Sequence, residues 1–207
     1  IHAIYRKPKN TSANNPEHKV YPYLLRGMSI AANQVWALDT SYIPMARGFV
    51  YLTAVIDWAT RKVLAHKVAI TLEACHAIDV LNEAFAKYEK PQIVNTDQGS
   101  QFTSPRFTSV LKDAGVRISM DGKGRWMDNV FIERLWRSLK YECVYLHAFE
   151  TGQELRRGLT QWIDFYNTRR PHSSLAGRTP DEAYYQIAPP SLPGHAPGEM
   201  ALNQNAA

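Results

Sequence analysis

Three carboxylates are notable for where the chain places them: Asp39, Asp97 and Glu133. Asp39 lies in the half-apolar run Val35 to Ile43, where Trp36, Leu38, Thr40 and Tyr42 alternate with Val35, Ala37, Asp39 and Ser41. That period of two marks a strand and puts Asp39 on the face opposite Trp36 and Leu38. Asp97 follows Gln92 to Thr96, read as a short buried strand, and opens Asp97-Gln98-Gly99-Ser100, a loop with glycine where the backbone must turn. Carboxylates in such places need a partner or a cation.

Glu133 belongs to a helix expected from Asp128 to about Val144. With Glu133 at 0° on a wheel of about 100° per residue, Arg137 falls near 40° and Lys140 near −20°. The residues Phe131, Ile132, Leu135, Trp136, Leu139 and Cys143 fill a broad apolar arc on the other side. Glu133 is thus centred on the polar face. Taken alone, it is explained as the partner of Arg137 in an i,i+4 pair contributing a few tenths of a kcal/mol. Two strand aspartates and one helix glutamate can also converge around two divalent cations. Two such ions, roughly 3.5–4 Å apart, are what phosphodiester displacement uses, and hard Mg2+ or Mn2+ prefers carboxylates and water. Without the cations the clustered acids repel, which raises a pKa. Asp57 reads instead as a turn former, Asp121 as part of a mobile loop from Met120 to Met127, and Asp128 as a helix cap.

The elements that position these acids follow from patterning. Phe49 to Ile56 and Lys62 to Val68 are strand-like and joined antiparallel through Asp57 to Arg61. Thr71 to Tyr88 has helical spacing, with Lys90-Pro91 as its stop; Pro105 to Ala114 is a second helix and Val116 to Ser119 a fifth strand after Gly115. Beyond the Glu133 helix, Gln153 to Tyr166 is helical, and Thr179-Pro180-Asp181-Glu182 is a capping box. The expected class is α/β, a mixed five-stranded sheet flanked by helices. The expected division is a basic arm over 1–30, a core over 31–148, a C-terminal helical extension over 149–187 and a disordered tail over 188–207.

A chain of 207 residues with 45% apolar content can bury one ordinary core. Cys75 and Cys143 are far apart and form no CxxC pair, which argues against a thiolate zinc site or a disulfide framework. No apolar run approaches a membrane span, so a cytoplasmic protein without a membrane partner is expected. The net charge of +5 permits a polyanionic partner, and the arm concentrates it: Arg6, Lys7, Lys9, Lys19 and Arg26 stand against Glu17 alone.

Four strings carry a family resemblance: Trp36-Ala37-Leu38-Asp39-Thr40-Ser41-Tyr42-Ile43, Asn95-Thr96-Asp97-Gln98-Gly99-Ser100-Gln101-Phe102, Met127-Asp128-Asn129-Val130-Phe131-Ile132-Glu133-Arg134, and Tyr166-Asn167-Thr168-Arg169-Arg170-Pro171-His172-Ser173-Ser174-Leu175. With the Asp97-to-Glu133 spacing and Lys140 two turns further on, the chain resembles the integrase and transposase catalytic core. It is closer still to second-frame transposases of the insertion-sequence-three family of bacterial insertion elements. The resemblance implies a ribonuclease-H-like fold in which Asp39, Asp97 and Glu133 hold two Mg2+ or Mn2+ ions. It also implies cleavage and strand transfer of DNA at element ends and targets, assembly as an oligomer on DNA, and an upstream helix-turn-helix part where here a basic arm precedes the core. Lys140 matches a basic position that contacts element-end DNA.

Further phosphate contacts are expected from Lys123 and Arg125 in the loop, Arg137 on the helix, and Arg169 and Arg170 before Pro171. Trp126 can stack on a base or be buried beside the helix. Arg170 and His172 can instead tie down a helix terminus. Two other functions fit the same residues less closely: a ribonuclease-H-like nuclease and a noncatalytic DNA-binding fragment.

Overall fold

The structure is a computed structural model and describes residues 17–122, 129–147 and 149–187. The β-branched and aromatic runs form three antiparallel strands, β1 (Val35–Pro44), β2 (Phe49–Asp57) and β3 (Val63–Ala69). Each connection is tight. Met45 N–H donates to the Gly48 carbonyl at 3.0 Å, with Gly48 at φ +84°, where a side chain is disfavoured. At the second turn the Asp57 carboxylate accepts from Thr60 N–H at 2.8 Å, Thr60 Oγ1 at 2.7 Å and Asn33 N–H at 2.7 Å. Asp57 is therefore the turn's anchor, as its sequence position predicts.

Helix α1 (Ala74–Lys87) crosses to β4 (Ile93–Thr96), which pairs parallel with β1, and β5 (Arg117–Met120) pairs parallel with β4. The sheet order is β3-β2-β1-β4-β5. Between β4 and β5 lie α2 (Ser100–Thr103) and α3 (Pro105–Asp113), the latter capped by Ser104, whose hydroxyl accepts from Phe107 N–H. The expected order of three strands, helix, strand, helix, strand is present, with α2 added where a loop was expected.

Alternation along β1 sends side chains into two cores. Trp36 and Leu38 join Ile78, Leu81, Phe102, Phe107 and Leu111 under α1 to α3, whereas Val35 and Ala37 join the opposite cluster. That second cluster is covered by α4 (Val130–Leu139) through Ile132, Leu135, Trp136 and Leu139. A π-helical turn, Lys140–Val144, follows α4, then the short α5 (Tyr145–His147). Helix α6 (Gly152–Thr168) starts at the Thr151–Glu154 capping box and adds Leu155, Leu159, Trp162, Ile163 and Tyr166 to the same cluster. Helix α7 (Pro180–Tyr184) carries the Thr179–Glu182 capping box read from sequence. Its Asp181 pairs with the buried Lys62 at the β2–β3 turn.

The described part of the arm lies along the sheet edge: Leu24 N–H donates to Ser119 Oγ at 3.0 Å, and Leu25 is buried. Lys123, Arg125, Trp126 and the proposed Asp128 cap lie outside the described residues. Among the described residues, no helix is long and apolar enough to cross a membrane.

Candidate active site

The β1–β4 ladder brings the two aspartates together. Its last parallel pair is Ala37 with Asn95, so Asp39, within β1, and Asp97, the residue after β4, each lie two residues beyond it, near enough for the charge of Asp97 to act on Asp39. Asp39 is only 9% exposed, and its Oδ2 accepts a hydrogen bond of 2.8 Å from Trp136 Nε1. Trp136 is on α4, one turn beyond Glu133, so this bond fixes the Glu133 helix against β1. Glu133 itself is exposed on α4.

The electrostatics are those of buried, crowded acids. Burial, and then the charges of Asp97 and Glu133, push Asp39 up to about 7, although the Trp136 hydrogen bond stabilises its charged form. Burial also raises Asp97, opposed by the 2.8 Å bond from Gly99 N–H to Asp97 Oδ1. A Cβ on Gly99 would sit 2.7 Å from Gln101 Nε2 and 2.8 Å from Asp97 Oδ1, so the loop is closed tightly around this carboxylate. Hard oxygen donors whose ionised forms are held at a cost suit a divalent cation, which would lower both pKa values on binding. Among the described residues, no group of three carboxylate, histidine or cysteine side chains is drawn close enough to grip one ion. The charge of Glu133 reaches Asp39 from α4.

Around the pair, Asp121 is buried rather than loop-exposed. Its Oδ1 accepts from Asn95 Nδ2 at 2.7 Å, its carbonyl from Gln98 Nε2 at 2.7 Å, and its N–H donates to the Thr96 carbonyl. It splices the end of β5 to the Asp97 loop. Trp136 escapes sequence reasoning because an indole in an apolar arc reads as core filling. The available signal was its place at the edge of that arc nearest Glu133.

Of the basic residues, Arg137 is exposed on α4 and Lys140 is partly buried where the π-helical turn begins. Arg169 is exposed just past α6. Arg170 forms a bidentate pair with Glu142, Nε–Oε2 at 3.0 Å and Nη2–Oε1 at 2.6 Å.

Two families, both described as integrase core domain, match residues 30–125 and 114–180. The transposase for insertion sequence element IS904 of Lactococcus lactis is 37% identical over 156 residues, covering 73% of this chain and 61% of that protein. Transposase InsF for insertion sequence IS3A of Escherichia coli is 34% identical over 153 residues, 72% of this chain and 53% of that protein. The chain thus spans 53–61% of the length of these curated relatives. In structure it is similar to a chain of the simian T-cell lymphotropic virus intasome (TM-score 0.68, 18% identity, 89% of this chain and 65% of that one). It is also similar to the HTLV-2 integrase catalytic core domain in complex with magnesium (TM-score 0.57, 18% identity, 76% and 99%). The sheet order, the crossed helices and the matched segments agree: this chain belongs to the integrase core domain family and has its ribonuclease-H-like fold.

Proposed function

We propose that the chain is the catalytic core of a DNA transposase of the insertion-sequence-three type, a divalent-metal-dependent polynucleotidyl transferase. The observation that carries this reading is that Asp39, within β1, and Asp97, just past the end of the neighbouring parallel strand β4, lie near enough for their charges to interact, with Trp136 clamping the Glu133 helix onto Asp39. Asp39, Asp97 and Glu133 would hold two Mg2+ or Mn2+ ions. Bound there, the ions supply activation of the attacking oxygen and stabilisation of the leaving one.

The chain's own residues orient the rest. Asp39, held up mainly by burial, would serve a cation as its ionised form, which the Trp136 hydrogen bond stabilises. Gly99 N–H and the tight loop hold the Asp97 carboxylate in one rotamer. In the first step a water oxygen attacks the phosphodiester at the element's end and the 3′-oxygen leaves as a hydroxyl. In the second, that hydroxyl attacks a phosphodiester of another strand and displaces its 3′-oxygen. No bond to the protein forms. Lys140, Arg137, Arg169 and Arg170, with Lys123 and Arg125, contact phosphates. The active form is an oligomer on DNA, and an upstream helix-turn-helix part recognises the element ends.

The test is a strand-transfer assay with paired element-end oligonucleotides in Mg2+ or Mn2+. Asp97→Asn and Glu133→Gln should lose strand transfer by several orders of magnitude while remaining folded. Undiminished transfer by Asp97→Asn sinks the proposal. Cleavage of an RNA/DNA hybrid without strand transfer would move the assignment to a nuclease.

A further inference from the structure

A groove of about 570 Å³ runs between α4 and the segment that follows α6, beside the carboxylates rather than among them. Its charged walls are Arg61, Arg134, Arg137 and Arg170, with His172 and Ser173 at one side. These come from separate parts of the chain: the β2–β3 turn, α4, and the Arg-Pro-His-Ser stretch after α6.

The groove concentrates positive charge at a cost. Arg61 sits at φ +67°, a backbone conformation that side chains other than glycine rarely adopt. Its guanidinium lies over the Phe131 ring, 3.2 Å from the centroid. Burial and the nearby Arg134 charge pull its pKa down to about 10, against the raising influence of Tyr166 and Asp57. Among the described residues, no acid lies within ion-pair distance of Arg61, Arg134 or Arg137. His172 faces Arg170 and Arg61, and its shielded Nε2 has no hydrogen-bond partner among the described residues. Among the described residues, Glu142 is the one carboxylate engaged by a groove arginine, through its bidentate pair with Arg170. Strained backbone, crowded guanidinium groups and an unused ring nitrogen persist together where an anion completes the set.

We propose that this groove binds the sugar-phosphate backbone of DNA next to the reacting phosphodiester, with Arg61, Arg134 and Arg137 as fixed phosphate ligands and Arg170 recruited from Glu142. The inference rests on the transposase reading and deepens it. Arg137 lies one helical turn from Glu133 on the same side of α4, so a strand in the groove passes directly to the carboxylates. Glu142 is the intramolecular stand-in for a phosphate: it occupies Arg170 until backbone oxygens replace it.

The test is equilibrium binding of the 207-residue chain to a labelled DNA duplex in EDTA, over a range of salt. Arg134→Gln combined with Arg137→Gln should weaken binding about tenfold or more and reduce the salt slope by about two, one for each phosphate that is no longer neutralised. Glu142→Gln should tighten binding several-fold more than Glu150→Gln, an exposed change of the same charge outside the groove. An unchanged slope in the double variant, or equal effects of the two glutamate changes, overturns the proposal. Strand transfer by Asp97→Asn is scored separately. If that variant is inactive and the double variant binds normally, the groove assignment fails and the transposase reading stands; if it is active, the transposase reading fails whatever the groove binds.

Discussion

Trp136 Nε1 donates a 2.8 Å hydrogen bond to Asp39 Oδ2, joining a helix of one core face to the central strand it covers. The same bond stabilises the ionised carboxylate that a cation requires and places Glu133 one turn away. One contact therefore bears on both position and protonation.

Trp136→Phe keeps most of the buried ring and removes the donor. A hydrogen bond to a charged group is worth about 1.5–3 kcal/mol, so Asp39 should rise by about one pH unit or more above its present value near 7. The acid limb of the metal-dependent pH–rate profile should move up accordingly. A limb that stays in place would show that Asp39 does not depend on this donor.

Asp39→Asn should exchange activity for stability. The folded pKa of about 7 lies above the ordinary 3.8, so between those values the folded chain keeps a proton that the unfolded chain has released. Metal-free stability therefore falls as pH rises through this window and stays lowered above it. The asparagine variant should melt higher than wild type at pH 8, by a few kcal/mol at most, and equally near pH 4. Mn2+ should raise the melting temperature of wild type at pH 8 much more than that of the variant. Thermal melts with and without the ion check both statements.

Gly99→Ala should disable the site with limited loss of fold. The added carbon would lie 2.8 Å from Asp97 Oδ1 and 2.7 Å from Gln101 Nε2, so the carboxylate must turn away. Strand transfer should fall at least tenfold, because small misplacements of reacting groups are expensive. Wild-type activity with an unaltered circular dichroism spectrum would refute the positioning role.

His172 should make the fold acid-sensitive. Burial and the Arg170 and Arg61 charges lower its pKa from 6.5 to about 4, so between these values the unfolded chain binds the extra proton and stability falls as pH falls. The slope cannot exceed about 1.4 kcal/mol per pH unit and is reduced by the ring's partial exposure. Subtracting the denaturation profile of His172→Gln from that of wild type isolates it, and a flat difference contradicts the assignment.

The parts of the site legible in sequence are those set by short periods. Alternation placed Asp39 opposite Trp36 and Leu38, and the 3.6-residue turn put Glu133 outside the stripe containing Ile132, Leu135 and Leu139. Element ends were less legible. The helix expected from Thr71 begins at Ala74, because Thr71 Oγ1 pairs with His76 Nε2 before the first turn and Leu72 turns outward. Ser100–Thr103 is helical rather than loop, with Gly99 at its N-terminal boundary and Phe102 fully buried in the core. The Arg61 groove was invisible because its walls come from segments that only tertiary packing brings together. Arg61 reads as an ordinary turn residue until its ring contact with Phe131 is seen.

The wide turn from Lys140 to Val144 makes composition, more than length, the quantity this stretch must preserve. A turn that closes five residues on holds one residue more than a regular turn, so deleting one of these five would let the helix wind regularly while later side chains kept nearly their present directions. Cys143 and Val144 fill space in the core that α6 covers, and Glu142 reaches Arg170, so these three side chains are what a shortened stretch must retain. Deletion of the exposed Tyr141 should therefore be tolerated, whereas deletion of the buried Cys143 should not.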